Sequence, residues 1–241
     1  MMNWKTARKI SNKTFALGAG WENKISQMIL LLLSKKDDSV NIDVVLLLSY
    51  LEQELDKIAA EQIAALDNIT DLAYKYALAA TLDELDDIGF TIPSLAIGYD
   101  KSWLGDGKDY SNRVLINIKN AKSRIQGLLL GYQGNDPIVL MGLLSDELKK
   151  IDNEWKRLLR TEIEACYSQG ARDANLMKGA LVAVIENGSP CDAICAQYVG
   201  EHEVPLNGRL GIDLPPYHPN CRCVFLGVFG QGREKSIKIF Y

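Results

Sequence analysis

The sequence predicts a mainly α fold, a helical body followed by a small C-terminal α+β module rich in cysteine and histidine. Three observations predict it. Apolar residues recur at three- and four-residue steps through most of the first 178 positions. Short β-prone runs and turn clusters appear only after Lys178-Gly179. Four of the five cysteines lie beyond residue 190. Three segments follow: an N-terminal helical region over 1–100, a central long-helix region over 101–178, and the Cys/His module over 179–241.

Taken in order, residues 21–35 are compact and apolar-rich and end in Ser34-Lys35-Lys36, cations where a helix C-terminus favours them. Asn41 can cap the next helix, in which Val44, Val45, Leu48, Leu51 and Leu55 form a stripe and Glu52, Glu54 and Asp56 face outward. Residues 57–88 continue in Ala, Leu, Asp and Glu, with a break or cap expected at Asn68-Ile69-Thr70-Asp71. Gly89 and Pro93 end that stretch, and 89–108 reads as a loop. A second helix is expected from Asp109-Tyr110-Ser111, carrying Val114, Leu115, Ile118, Ala121, Ile125 and Leu128 on one face. Gly131 and Gly134-Asn135-Asp136-Pro137 turn the chain, and Pro137 suits the first turn of the next helix. That helix should run to about Ala174. Its inward residues are Leu144, Leu148, Ile151, Trp155, Leu158 and Leu159. In the tail, Leu181–Ile185, Cys221–Leu226 and Ser236–Tyr241 are strand candidates around an Asn187-Gly188-Ser189-Pro190 turn.

Composition excludes several classes. The chain has 241 residues, 47% apolar and 24% charged, ordinary values for a globular protein and unlike a disordered or collagen-like one. Net charge is -4, so no global basic field points to nucleic acid. No purely apolar run exceeds six residues, as in Met28–Leu33, far short of the roughly 20 a membrane span needs. The N-terminus lacks a signal-peptide h-region and cleavage site, so a cytosolic, unprocessed chain with reduced thiols is expected. Charge is uneven: residues 1–36 sum to +6 and 37–99 to -11. Solvated helix faces account for this, and so does a basic docking arm on an acidic body.

The chemistry-bearing residues cluster in the tail. Cys191 and Cys195 are followed, after 22 residues, by His218, Cys221 and Cys223. Thiolate and imidazole are the ligands that Zn²⁺ takes in closed tetrahedral structural sites. Cys191 and Cys195 can point one way from a helical turn. Cys221 and Cys223, flanking Arg222, share a side on a strand. Pro215, Pro216 and Pro219 stiffen the approach. Five candidates compete for four positions, and a metal-free reduced core or disulfides would use the same residues. With two histidines in the chain and no HExxH or HxE motif, neither a catalytic metal nor a Cys221–His218 nucleophilic pair has motif support. No catalytic residue is assigned.

These residues carry a resemblance. Pro215-Pro216-Tyr217-His218-Pro219-Asn220-Cys221-Arg222-Cys223 is similar to the closing signature of the tailed-phage minor head proteins, the Mu F-like (MuF-type) head morphogenesis family. Arg160-Thr161-Glu162, with Gly170 and Ala171 after it, resembles the family's Arg-Thr-Glu segment. Cys191 and Cys195 stand where the family has a Cys-x-x-Cys pair, with one extra residue between them. Trp103 through Asn112-Arg113, and Gly131 through Pro137-Ile138, resemble the helical region of Gram-positive phage members. The resemblance covers roughly 100–228.

It implies a non-enzymatic minor capsid protein of the virion, assembled in the host cytoplasm. Its partners would be the portal protein or the major capsid protein, with contact to packaged DNA and none to membrane. Its role would lie in head assembly or DNA delivery. Relatives with a toxin domain carry it after the signature, and the 18 residues after Cys223 are expected to hold none. It also favours a charged pair from Arg160 and Glu162 bridging the helix to the tail, whereas the residues alone read as a surface cation and a solvated acid. Two rival classes stand beside it. A zinc-dependent nucleic-acid module should have a basic tail, which this is not. A Cys- or metal-dependent toxin or hydrolase should have a recognisable catalytic motif.

Overall fold

The computed structural model describes residues 27, 44–85, 99–103, 107–132, 137–187, 193–196, 198, 200–218, 221 and 223–228. The +6 segment before residue 37, Arg222 and the strand candidate Ser236–Tyr241 fall outside these, Gln27 excepted. Helix takes up 71% of the described residues and a three-stranded antiparallel sheet lies near the C-terminus, so the fold is mainly α with a small strand module.

Helix α1 spans Val44–Leu85 without interruption. The break expected at 68–71 is absent because the helix absorbs its polar residues. Thr70 donates its hydroxyl to the Leu66 carbonyl at 2.6 Å, and Asp71 pairs with Lys75 one turn on at 2.8 Å. Helix α2 spans Tyr110–Gly131 and α3 spans Pro137–Met177, three residues beyond the expected end. The α2 face differs in part from the expected stripe. Val114, Ile118, Ala121 and Ile125 are buried, but Leu129 is the buried leucine of the last turns, while Leu115 is exposed. A 3.6-residue period places 118, 125 and 129 on one side and swings 115 away.

The chain forms two compact units. One contains 44–65 of α1, 111–131 of α2 and 137–156 of α3. There Lys122 binds Asp56 at 2.7 Å, and Arg124 binds both Glu147 (2.9 Å) and Glu154 (3.2 Å). Leu51, Leu55, Ile118, Leu140, Leu144 and Trp155 are buried. The other unit contains 66–85 of α1, the 99–110 connection, α3 from Arg157, and the tail. In it α3 approaches α1 almost backbone to backbone. A Cβ on Gly170 would lie 2.5 Å from the Tyr74 carbonyl oxygen and 3.0 Å from the Leu78 nitrogen, so only glycine fits.

Helix α3 ends where the sequence changes texture. Gly179 adopts φ +88°, its N–H donates to the Leu176 carbonyl (3.0 Å), and the Ala180 N–H donates to Asn175 (3.0 Å). This Schellman cap feeds directly into β1, Val182–Asn187. One helical turn, α4 (Ala193–Ala196), precedes β2 (Gly200–Pro205), and β3 is Cys223–Val228. The sheet order is β2-β1-β3, with both neighbours antiparallel to β1 and an irregularity opposite Val184/Ile185 on the β2 side. The sequence reading has no counterpart to β2. Its Glu203 is exposed and Val204 only half-buried, the weak apolar pattern of an edge strand.

Candidate functional site

The register pairs Ile185 with Phe225 and Ala183 with Gly227, so these residues share one face of the sheet. That face lies on α3. A Cβ on Gly227 would run into the Asn175 side chain, 2.7 Å from its Cγ. Asn175 is itself fixed, donating from Nδ2 to the Ala171 carbonyl at 2.8 Å. The core built there contains Ala183, Ile185, Cys223 and Phe225 from the sheet, with Ala165 and Ala171 from α3. Trp103 from the connection, and Leu206, Leu210, Leu214, Tyr217 and Cys221 from the loop before β3, complete it.

That loop is tightly closed. The Arg209 carbonyl accepts N–H groups from Asp213 (2.9 Å) and Leu214 (3.1 Å), and Asp213 Oδ2 accepts the Arg209 N–H (2.8 Å). Tyr217 stacks on Tyr198 with ring centroids 4.0 Å apart and planes 13° apart. The Cys221 N–H donates to the His218 carbonyl at 3.1 Å, which closes the turn of the motif.

Of the five proposed ligands, Cys221 and Cys223 are buried in this core, neither is in a disulfide, and His218 is half-exposed beside them. Cys195 lies on the helical turn α4, and its side chain and Cys191 fall outside the described residues. Among the described residues no group of three or more His, Cys, Asp or Glu side chains is gathered as a metal would require.

One buried polar group is an acid that the residues alone read as solvated and the resemblance reads as half of a charged pair with Arg160. Glu162 is fully buried. Its Oε2 accepts the Tyr99 hydroxyl at 2.7 Å and the Trp103 indole N–H at 3.0 Å. Arg160 is exposed on the other side of the helix. Next to Glu162, one turn on, is Cys166, also fully buried and hydrogen-bonded to Tyr99. Burial first, then the nearby Cys166 and Glu162, push the Tyr99 phenol well above its usual range. Burial likewise raises the Cys166 thiol. Further along the same helix, Gln169 Oε1 accepts the Asp100 N–H (3.0 Å), and Asp173 accepts the Tyr74 hydroxyl (2.8 Å) while pairing with Arg172. Glu162, Cys166, Gln169 and Asp173 recur at three- and four-residue steps. A polar stripe interleaved with alanines on a helix was the available signal of a buried polar face.

Chemically, the site is a set of buried thiols and a carboxylate holding two aromatic donors. No described helix is long and apolar enough to cross a membrane. No family model, curated protein or solved structure matches the chain.

Proposed function

We propose that this chain is a minor capsid, or head morphogenesis, protein of a tailed phage. It is a structural component associated with the portal or the inner capsid face, and it acts in head assembly or DNA delivery. One observation carries the reading beyond sequence resemblance. Three of the segments that resemble the MuF-type family are far apart in the chain, yet Trp103, Glu162 and the 217–223 stretch meet in one compact unit. Trp103 from the first segment packs with Tyr217, Cys221 and Cys223 from the last, and bonds Glu162 of the Arg-Thr-Glu segment. Chance likeness in three unrelated segments gives no reason for them to converge. A structural rather than catalytic role is supported by the burial of Cys221, since a working nucleophile needs access.

In this reading Zn²⁺ is a structural ion. Thiolates of Cys191 and Cys195 with Cys221, Cys223 or His218 would hold it, and it would cross-link the two ends of the tail. The +6 segment before residue 37 steers the chain toward an acidic surface of its portal or capsid partner.

The test is particle composition. Heads purified from the phage encoding this chain should contain it at a copy number well below that of the major capsid protein. Deleting it should leave heads misassembled or unable to deliver DNA. Infectious heads that never contain the chain would overturn the proposal.

A further inference from the structure

Cys166 lies in a core cluster with Ala73, Tyr74, Leu78 and Leu82 of α1 and Ala174 of α3, and Tyr99 packs against it. Among the described residues of that cluster, Tyr99 alone belongs to neither helix. The helix walls are fixed. At Gly170 the α3 backbone meets the Tyr74 carbonyl with no room for a side chain, and the Tyr74 hydroxyl donates to Asp173 at 2.8 Å.

The wall that Tyr99 supplies is of another kind. Residues 99–102 lie in no helix or strand. Asp100 Oδ1 accepts the N–H and the hydroxyl of Ser102, each at 2.9 Å, which makes 100–102 one compact turn. Trp103 anchors the far end of that turn in the tail core. Side chains tie the turn down on either side. Gln169 of α3 accepts the Asp100 N–H at 3.0 Å, and Asp67 of α1 pairs with Lys101 at 2.7 Å. Lys101 and Asp67 are both about half exposed, where an ion pair holds weakly and salt screens it. Tyr99 adds its 2.7 Å bond to Glu162.

We infer that residues 99–102 form a strap that lifts about Trp103 while α1 and α3 stay paired, and that Cys166 and Glu162 reach solvent by this route. Lifting gives up the Tyr99, Asp100 and Lys101 ties. Parting the helices gives up the Tyr74–Asp173 bond, the close contact at Gly170 and the packing of Leu78 and Leu82. Local opening follows the elements held by the fewest and most exposed contacts, which here are those of the strap. Closed, the strap seals a thiol and a carboxylate one helical turn apart. Lifted, it presents both from an intact helix, so its position decides whether that pair meets any reagent.

The rate at which N-ethylmaleimide labels Cys166 in the full native chain tests this, with peptide mass spectrometry separating it from the other four cysteines. Labelling through a local opening is proportional to the open fraction. Gln169→Ala and Tyr99→Phe each remove one tie and should raise the rate about three- to tenfold. Tyr74→Phe loosens the helix seam but leaves the ties of the strap in place, so it should not change the rate. Lifting the strap exposes little surface, so the rate should be nearly flat in urea below the unfolding transition. A rate that climbs with the full urea slope of global unfolding, one unchanged by Gln169→Ala, or one raised as much by Tyr74→Phe, would each overturn the inference.

Discussion

Removing the Glu162 carboxylate should be among the most damaging single changes in the unit that holds the tail. Its Oε2 is the acceptor for two buried donors, Tyr99 OH and Trp103 Nε1. In Glu162→Ala both donors lose that acceptor, Trp103 within the core and Tyr99 at its partly buried margin. Each orphaned donor costs about 1–3 kcal/mol, and the cavity adds about 1 kcal/mol. The expected loss is about 4 kcal/mol, a large part of the roughly 5–15 kcal/mol that keeps a domain folded. Glu162→Gln keeps an oxygen able to accept both bonds and should cost only about 1–2 kcal/mol, for the loss of charge assistance. Urea unfolding followed by near-ultraviolet circular dichroism, which reports on buried Trp103 and Tyr99, gives both values. In a Trp103→Phe background one donor is already gone, so Glu162→Ala should cost about 1–3 kcal/mol less than in wild type. The reasoning fails if Ala and Gln prove equal, or if the Trp103→Phe background leaves the cost of Glu162→Ala unchanged.

Gly227→Ala should destabilise the module by about 1–3 kcal/mol through its clash with Asn175, and Asn175→Ala should relieve part of that, giving non-additive urea midpoints. Tyr74 and Tyr99 both have phenols raised above the ordinary value, Tyr74 by burial first and then by its bond to Asp173. A raised phenol contributes stability that is whole below about pH 10 and is lost as pH rises beyond it, so phenolate absorbance from these two should appear only together with unfolding. Protein purified under reducing conditions should carry about one Zn²⁺ per chain by elemental analysis, and its removal should loosen the tail while the helices persist. Cys191→Ser and Cys223→Ser should then lower tail stability and head incorporation alike, whereas a Cys221→Ser chain that folds and packages normally yet yields non-infectious particles would argue for an ejected enzyme.

Much of the fold was legible because it rests on local chemistry. The Pro137 start of α3, the change of texture after Lys178-Gly179 and the apolar steps from Leu144 to Trp155 are written in residue type and spacing. What escaped depends on partners distant in the chain. Glu162 reads as a surface acid until Tyr99 and Trp103, some sixty residues earlier, come over it. Thr70 and Asp71 read as a helix breaker, yet a helix can take both when one bonds back to its own turn and the other pairs along it. Strand β2 has almost no apolar signature because it lies at an edge, and only pairing with β1 makes it a strand. The cysteine cluster was legible as a cluster, and the structure places Cys221 and Cys223 together in the core, while Cys191 and the Cys195 side chain fall outside the described residues.

The order of strands in the sheet bears on how the chain is made. The central strand β1 leaves the ribosome before either of its neighbours exists, and β3, which pairs with it along its whole length, is the last described element to be synthesised. At about 5–20 residues per second, β1 waits on the order of seconds with one edge open. Its Val-Ala-Val-Ile run is the kind of segment that recruits another nascent chain through that edge. A ribosome stalled or a message cut between β2 and β3 would release a product whose long helices have formed but whose sheet is unsealed, and such fragments should be found in inclusion bodies rather than in solution.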